Sequence, residues 1–431
     1  MTVWAFPFAE VSIVTAMLIF AVNCFLRMEK RQMYITDLSK APLPERLPMN
    51  PIITYHDGIN YTLPDRDEST YHSMSWECEK AEDILSDYLK VSYTMIVPTD
   101  RSGLHMCMSA LGIKEGTKVF CSDLLYSRSF CPVLFTGGVP IFIDSDENSL
   151  NMSPEALKRA FELEPDVKHV MVTHTLGSLC DIEKIVEIAH SHGATVFEDA
   201  GEAFGSRHNG AYAGSFGDMG FVSFEGEKII SSYRGGAVMF DSYQAYAKLQ
   251  ILAARGRDTP DWYAYEGLKG SMSFSRSTAV LFMSQFQRMD IHLKRKEEIY
   301  RRYSEGLNGL PLAVLPHSND QEQPNFSFPY LLIEKDDLCT VIDSEFYIPE
   351  HGKSCPQEMR DALFASNIES SLFPPPMHMR EDFCSYRFIA QNEESSYGEN
   401  TCKRCFLLPC SIRMTDEQQD RVIQIIKRCF L

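Results

Sequence analysis

Between residues 77 and 199 the chain alternates short apolar runs with longer stretches of helical spacing. Residues 93–97, 117–121, 140–143, 168–173 and 194–198 are short, mostly β-branched and apolar. That is the composition of strands covered on both faces. Residues 77–90, 101–111 and 181–192 repeat apolar positions every three or four residues, the period of a helix with one buried face. Ser153-Pro154 is a cap followed by proline at the first helical position, which opens a further helix through about residue 161. Strands alternating with helices predict a mostly parallel sheet covered by helices on both sides.

The rhythm changes after residue 220. Residues 220–223 and 236–240 read as strands around a polar loop that holds Lys228. Residues 277–307 read as one long helical run. A smaller α+β region follows, with a strand at 326–333, a proline-rich loop at 374–376 and a closing amphipathic helix at 416–427. The expected division is an extension and linker at 1–46, a large domain at 47–305 and a small domain at 306–431.

Composition narrows the function. The 431 residues carry a net charge of −18. A nucleic-acid partner is disfavoured, because phosphate backbones call for concentrated Lys and Arg. The thirteen cysteines are odd in number and mostly single within apolar stretches, the pattern of reduced thiols in the cytosol. Cys402 and Cys405 are the one close pair, with no second pair or histidine pair at metal-site spacing, so no metal is expected. Residues 11–26 are mostly apolar and are followed by Arg27, Lys30 and Arg31. Two readings of 8–26 stand: a membrane anchor that leaves the rest of the chain in the cytosol, and a helix buried against the body or a partner. Glu10 and Asn23 weigh against the anchor.

The segment 197–241 is the most informative in chemical terms. Asp199 stands at the end of a predicted strand, and Lys228 follows in a loop between two more. Ligands of open α/β sheets bind off the carboxyl ends of strands, where such residues converge. An amine and a carboxylate on one ligand are what pyridoxal phosphate uses. The lysine bonds the aldehyde, and the acid keeps the ring nitrogen protonated.

Glu198-Asp199-Ala200-Gly201-Glu202-Ala203 is followed by Gly214-Ser215-Phe216-Gly217-Asp218, by Ser223-Phe224-Glu225-Gly226-Glu227-Lys228 and by Gly235-Gly236. This order and spacing resemble the DegT/DnrJ/StrS family of sugar aminotransferases. That family carries an acidic-Asp-Ala stretch, a Gly-Asp segment, Ser-Phe-x-x-x-Lys and a Gly-Gly turn. His174-Thr175-Leu176-Gly177 with Asp181, Ser277-Thr278-Ala279 with Gln285, Met377-His378, and Leu408-Pro409-Cys410 before Thr415-Asp416-Glu417 extend the likeness over about residues 50–430.

The resemblance implies the pyridoxal-phosphate transferase fold type I: a three-layer α/β/α large domain with a mostly parallel mixed sheet, plus a smaller C-terminal α+β domain. It implies Lys228 as the Schiff-base lysine and Asp199 as the partner of the pyridine nitrogen. Ser223 would bind the phosphate and Tyr126 would stack on the cofactor ring. Lysine at 228 favours amine transfer over the dehydration performed by members with histidine there. The implied reaction moves an amino group from glutamate or glutamine to a keto-sugar, nucleotide-linked by family habit, in a cytosolic homodimer.

Several positions depart from the family pattern. Its Ser-Gly-Thr phosphate loop is Thr99-Asp100-Arg101-Ser102 here. The expectation is that Arg101 and Ser102 hold the phosphate while Asp100 turns outward. Glu202 replaces a His or Gln beside the cofactor's phenolic oxygen, where a carboxylate must be protonated or paired. Arg234, in Tyr233-Arg234-Gly235-Gly236, and His378 are the candidate substrate contacts. Two alternatives remain open: a cofactor-impaired homologue serving as a binding subunit, and an aminotransferase of a non-sugar ketone.

Overall fold

The computed structural model describes residues 76–147, 149–226, 228–253, 275–342, 346–392 and 396–431. The segment 8–26 and the linker up to residue 75 lie outside the described residues. Among those described, no helix is long and apolar enough to cross a membrane.

The alternation read from the sequence is present almost residue for residue. Helix α1 (Trp76–Leu89) leads into β1 (Tyr93–Val97), α2 (Asp100–Ala110), β2 (Lys118–Ser122), α3 (Ser127–Phe135) and β3 (Val139–Ile143). Next come α4 (Pro154–Leu163), β4 (His169–Thr173), α5 (Ile182–Ser191) and β5 (Thr195–Asp199). A short hairpin, β6 (Arg207–His208) and β7 (Ala211–Tyr212), precedes β8 (Met219–Ser223), β9 (Gly236–Phe240) and α6 (Tyr243–Ala253). Ser153 caps α4 as expected, its hydroxyl accepting from the Ala156 N–H.

The large sheet has eight strands in the order β1-β9-β8-β5-β4-β2-β3-β14, the last being Phe388–Ile389. β9 alone runs antiparallel to its two neighbours, and the other pairings are parallel. This is the mostly parallel mixed sheet the sequence predicts. Its strands are buried on both faces, and two apolar clusters, one on each side, pack it between helices. Each fully buried Phe, Ile or Leu in such a layer contributes about 1.5–3 kcal/mol relative to exposure.

One departure concerns the run at 277–307. It is two helices, α7 (Arg276–Phe286) and α8 (Met289–Leu307), turning at Gln287-Arg288. No Gly or Pro marks the break, so helical spacing alone could not find it. The reason is tertiary. Phe282 and Phe286 pack on Phe224 and Tyr88 of the large domain. Ile299, Tyr303 and Leu307 pack into the small-domain core. A straight rod could not serve both.

The small domain carries a four-stranded sheet in the order β10 (Leu312–Leu315), β12 (Tyr330–Ile333), β15 (Cys405–Leu407) and β13 (Ser371–Leu372). β11 (Glu322–Gln323) pairs instead with β6. The strand expected over 326–333 begins only at Tyr330, because Phe326 takes a left-handed φ of 50°. Helices α9 (Pro356–Ala365), α10 (Tyr397–Arg404) and α11 (Asp416–Arg428) complete the domain. The proposed boundary at 305/306 falls inside α8. The chain also returns to the large sheet as β14, and buried Asp144 after β3 accepts from the Ser396 hydroxyl and from the N–H groups of Tyr397 and Gly398 at 2.9–3.0 Å.

Candidate active site

Parallel strands place all their carboxyl ends on one edge. Here that edge presents Thr173, Asp199 and Ser223, the last residues of β4, β5 and β8. Helices α2 and α3 begin over the same edge, and the β8–β9 loop brings Lys228 to it. Between them lies a cavity lined by Asp100, Leu104, Leu125, Tyr126, Arg128, Ser129, Thr173, Thr175, Asp199, Gly201, Glu202, Phe221 and Lys228. Two glycines keep it open and close-built. A methyl group at Gly103 would meet Phe221 and Val97 at 2.7 Å, so α2 can settle on the sheet only without one. A methyl at Gly201 would lie 2.9 Å from Asp199 Oδ1.

Lys228 is buried, and its Nζ lies 3.2 Å from Glu202 Oε1. Arg128 Nη2 reaches the same oxygen at 3.1 Å, and the Leu176 N–H donates to Oε2 at 2.9 Å. Burial opposes ionisation of Glu202, but Lys228, Arg128 and that N–H outweigh it and hold the acid below its ordinary range. The replacement of His or Gln by Glu is therefore met by pairing rather than by protonation. Asp199 is buried and accepts from the Gly201 N–H at 3.0 Å. Thr173 Oγ1, on the wall, is buried with no hydrogen-bond partner among the described residues. The Tyr126 ring stands between Phe373, edge-on at 5.9 Å, and the Arg128 guanidinium at 5.4 Å.

The start of α2 corrects the expectation for the altered phosphate loop. Thr99 and Ser102 form a capping box: the Thr99 hydroxyl accepts from the Ser102 N–H, and the Ser102 hydroxyl accepts from the Thr99 N–H. The Ser102 side chain is thereby committed to its own helix. Asp100 points inward, not outward. It is 5 % exposed, and its carboxyl oxygens both accept from the Ser223 hydroxyl at 2.8 Å. The cause is the helical screw. Positions 100 and 104 share a face, and both line the cavity, whereas Arg101 lies about 100° round and is exposed.

The two candidate substrate contacts lie elsewhere. His378 stacks on Phe388 at 3.8 Å, its ring nitrogens 2.6 Å from Asp123 Oδ2 and 3.1 Å from Glu399 Oε1. Burial alone would lower its pKa, and the two acids overcome that and raise it. It lines a separate groove with Arg159, Arg387 and Glu399. Arg234 is exposed and lines another groove with Tyr233, Pro98 and Ser275. The cavity thus gathers Lys228, Asp199, Glu202 and Tyr126, touches Ser223 through Asp100, and leaves Arg101, Ser102, Arg234 and His378 outside its wall.

Sequence reasoning missed Arg128 and Ser129. They ride on α3, a helix with proline inside it at Pro132, which hides the helical signal. It also missed Asn325, whose amide donates to the Glu202 carbonyl at 2.9 Å and to the Phe204 carbonyl at 3.0 Å. Cys402 and Cys405 do not form a donor group. The one group of metal-competent side chains among the described residues is Cys339, Cys355 and Glu358 in the small domain.

Known proteins resemble this chain in sequence and in fold. The family model for the DegT/DnrJ/EryC1/StrS aminotransferases matches residues 67–427. GDP-perosamine synthase of Vibrio cholerae is 28 % identical over 352 residues, covering 82 % of this chain and 90 % of that protein. Among solved structures, Helicobacter pylori PseC, an aminotransferase involved in the biosynthesis of pseudoaminic acid, aligns with a TM-score of 0.75 at 14 % identity. The alignment covers 88 % of this chain and 99 % of that one. DesV of S. venezuelae, solved in complex with a ketimine intermediate, aligns with a TM-score of 0.69 at 22 % identity, over 82 % and 88 % of the two chains.

Proposed function

Because the chain belongs to the DegT/DnrJ/EryC1/StrS aminotransferase family, we propose that it uses pyridoxal phosphate to move an amino group from glutamate or glutamine to a nucleotide-linked keto-sugar. The observation that carries this reading is the meeting of buried Lys228 and Asp199 with half-buried Tyr126 in one cavity at the carboxyl edge of the sheet. The residues fit the cofactor's ring. An amine, a carboxylate and an aromatic face surround a space that also holds the Thr173 hydroxyl, which has no partner among the described residues.

Lys228 would hold the cofactor, Asp199 would face its ring nitrogen, Tyr126 would cover a ring face and Ser223 would bind its phosphate. When bound, the cofactor supplies an electron sink for bond changes at the amino-bearing carbon. Lys228 Nζ holds and moves the proton at that carbon. Glu202 and Arg128 set the charge around it, and the low exposure of the Lys228 and Glu202 side chains excludes bulk water. The sugar reading is supported by the relatives' names, GDP-perosamine synthase among them. A homodimer and a cytosolic location belong to the same reading.

Purified protein with pyridoxal phosphate, labelled glutamate or glutamine and a panel of nucleotide keto-sugars is expected to yield a labelled amino-sugar. Borohydride is expected to fix the cofactor on Lys228. Fixation without turnover of any sugar, but with turnover of a cyclic ketone, would replace the sugar by that substrate. Failure to take up cofactor would favour the non-catalytic subunit. Asp199→Asn is expected to lower kcat/KM about 10²–10³-fold, the scale of one lost electrostatic contact to the reacting system. Fixation on Lys228 should persist, and an unchanged kcat/KM would remove Asp199 from its role.

A further inference from the structure

The anion end of this cavity contains a group of the wrong charge. Asp100 stands at the first position of α2, where N–H groups have no intrahelical partner and would otherwise favour an anion. Its carboxyl is buried and shares both oxygens with the Ser223 hydroxyl, the very group expected to bind a phosphate. The Thr99–Ser102 capping box fixes the helix start, and the Ser223 hydroxyl holds the carboxyl on the cavity side. The charged and titratable groups around it are Lys228 and Glu225 of the β8–β9 loop, Arg128 and Tyr126 at the start of α3, and Asp199 and Glu202 after β5. Lys228 and Arg128 are already shared by Glu202. No cation among the described residues is dedicated to Asp100.

We propose that the phosphate of the cofactor enters this site together with a proton on Asp100, so that Asp100 acts as a hydrogen-bond donor to the phosphate in place of a backbone-only loop. This rests on the pyridoxal-phosphate reading above. The proton balance is simple. Carboxylate, one proton from solvent and the phosphate dianion give a neutral carboxyl whose O–H donates to a phosphate oxygen. No bond to carbon or phosphorus changes. Burial, the largest cause, and Glu225 raise the Asp100 pKa to about 7 against the pull of Lys228, Ser223 and Arg128. The proton is thus within reach near neutral pH. Above that value each binding event must take a proton up, and below it the carboxyl is already neutral.

The test is binding, not turnover. Pyridoxamine 5′-phosphate, which carries no aldehyde for Lys228, is titrated against the full-length wild type, Asp100→Asn and Asp100→Gly between pH 6 and pH 9. Asn offers a donor that needs no proton, and Gly removes the carboxyl altogether. The ratio of wild-type to D100N dissociation constants is expected to be flat below about pH 7. Above it the ratio should grow about tenfold per pH unit, as one linked proton requires. Calorimetry in two buffers of different ionisation enthalpy at pH 8 should show one more proton taken up by the wild type than by either variant. Phosphate-free pyridoxamine should show no such difference, which a merely structural role would not produce. Equal proton uptake and a flat ratio across the range, with tight binding by all three proteins, would overturn the inference and leave the cofactor reading intact. No binding by any of them at any pH would overturn both.

Discussion

Lys228→Ala is expected to abolish amine transfer, with kcat falling by about 10⁴-fold, the upper end of what one positioned proton-transfer group supplies. The fold should survive. Glu202 keeps Arg128 at 3.1 Å and the Leu176 N–H at 2.9 Å when the lysine leaves, so no buried carboxylate is stranded. The loss is therefore chemical and not structural. Three measurements separate the cases: the denaturation midpoint, cofactor fixation by borohydride, and single-turnover release of labelled product. An unchanged midpoint with no fixation and no product is the expected pattern. Residual turnover within tenfold of the wild type would mean that another amine does the work. Lys296 is the other buried lysine described, but it donates to the Cys410 carbonyl in the small-domain core and does not line this cavity.

The second large effect falls one residue from Asp199, the proposed partner of the cofactor ring. Glu198 is 0 % exposed on β5, yet it does not line the cavity that Asp199 lines. One oxygen accepts from the N–H groups of Phe216 and Gly217 at 2.6 and 2.5 Å. The other accepts from the Gly214 N–H at 3.0 Å and contacts His174 Nε2 at 2.9 Å. The Cys180 N–H donates to His174 Nδ1, so that nitrogen is the acceptor and Nε2–H donates to Glu198. The carboxylate thus ties the Gly214–Gly217 turn to the strand that carries Asp199. Glu198→Ala leaves three backbone donors and the buried His174 without their acceptor. It is expected to cost about 3–5 kcal/mol, the range for breaking a buried charged network by removing one member. Urea denaturation followed by circular dichroism should show the lower midpoint. A loss below about 1 kcal/mol, the worth of an ordinary hydrogen bond, would mean that water replaces the carboxylate. Whatever folded fraction remains should still bind cofactor, since Asp199 and Lys228 keep their own contacts.

These two acids show how far a linear reading reaches. Glu198-Asp199 reads as an acidic pair, and the resemblance assigned Asp199 its partner. Which acid faces the cavity and which faces the core is set by the two-residue alternation of a strand, and the strand was legible. What the neighbours do was not. Nothing adjacent in sequence marks Glu198 as the acceptor for residues 214–217. In the same way Tyr126 was legible as a site residue, whereas Arg128, two positions on, was not, because Pro132 masks the helix that presents it. Helical spacing also read 277–307 as one rod, because the demand for a turn at Gln287-Arg288 comes from two separate cores.

By itself the sequence determined the strand–helix alternation, the mostly parallel sheet, the Asp199 and Lys228 pair and the family pattern that links them. These depend on local periodicity and on residues in fixed order, which a chain carries along its length. Only the tertiary structure decided the direction of Asp100, the removal of Arg101, Ser102, Arg234 and His378 from the cavity wall, and the sharing of Glu202 between Lys228 and Arg128. Those outcomes depend on which face of a helix meets which strand end and on which charges become buried together. Such distances are set between segments far apart in the chain, 123 residues between Asp100 and Ser223 and 255 between Asp123 and His378, and not between neighbours.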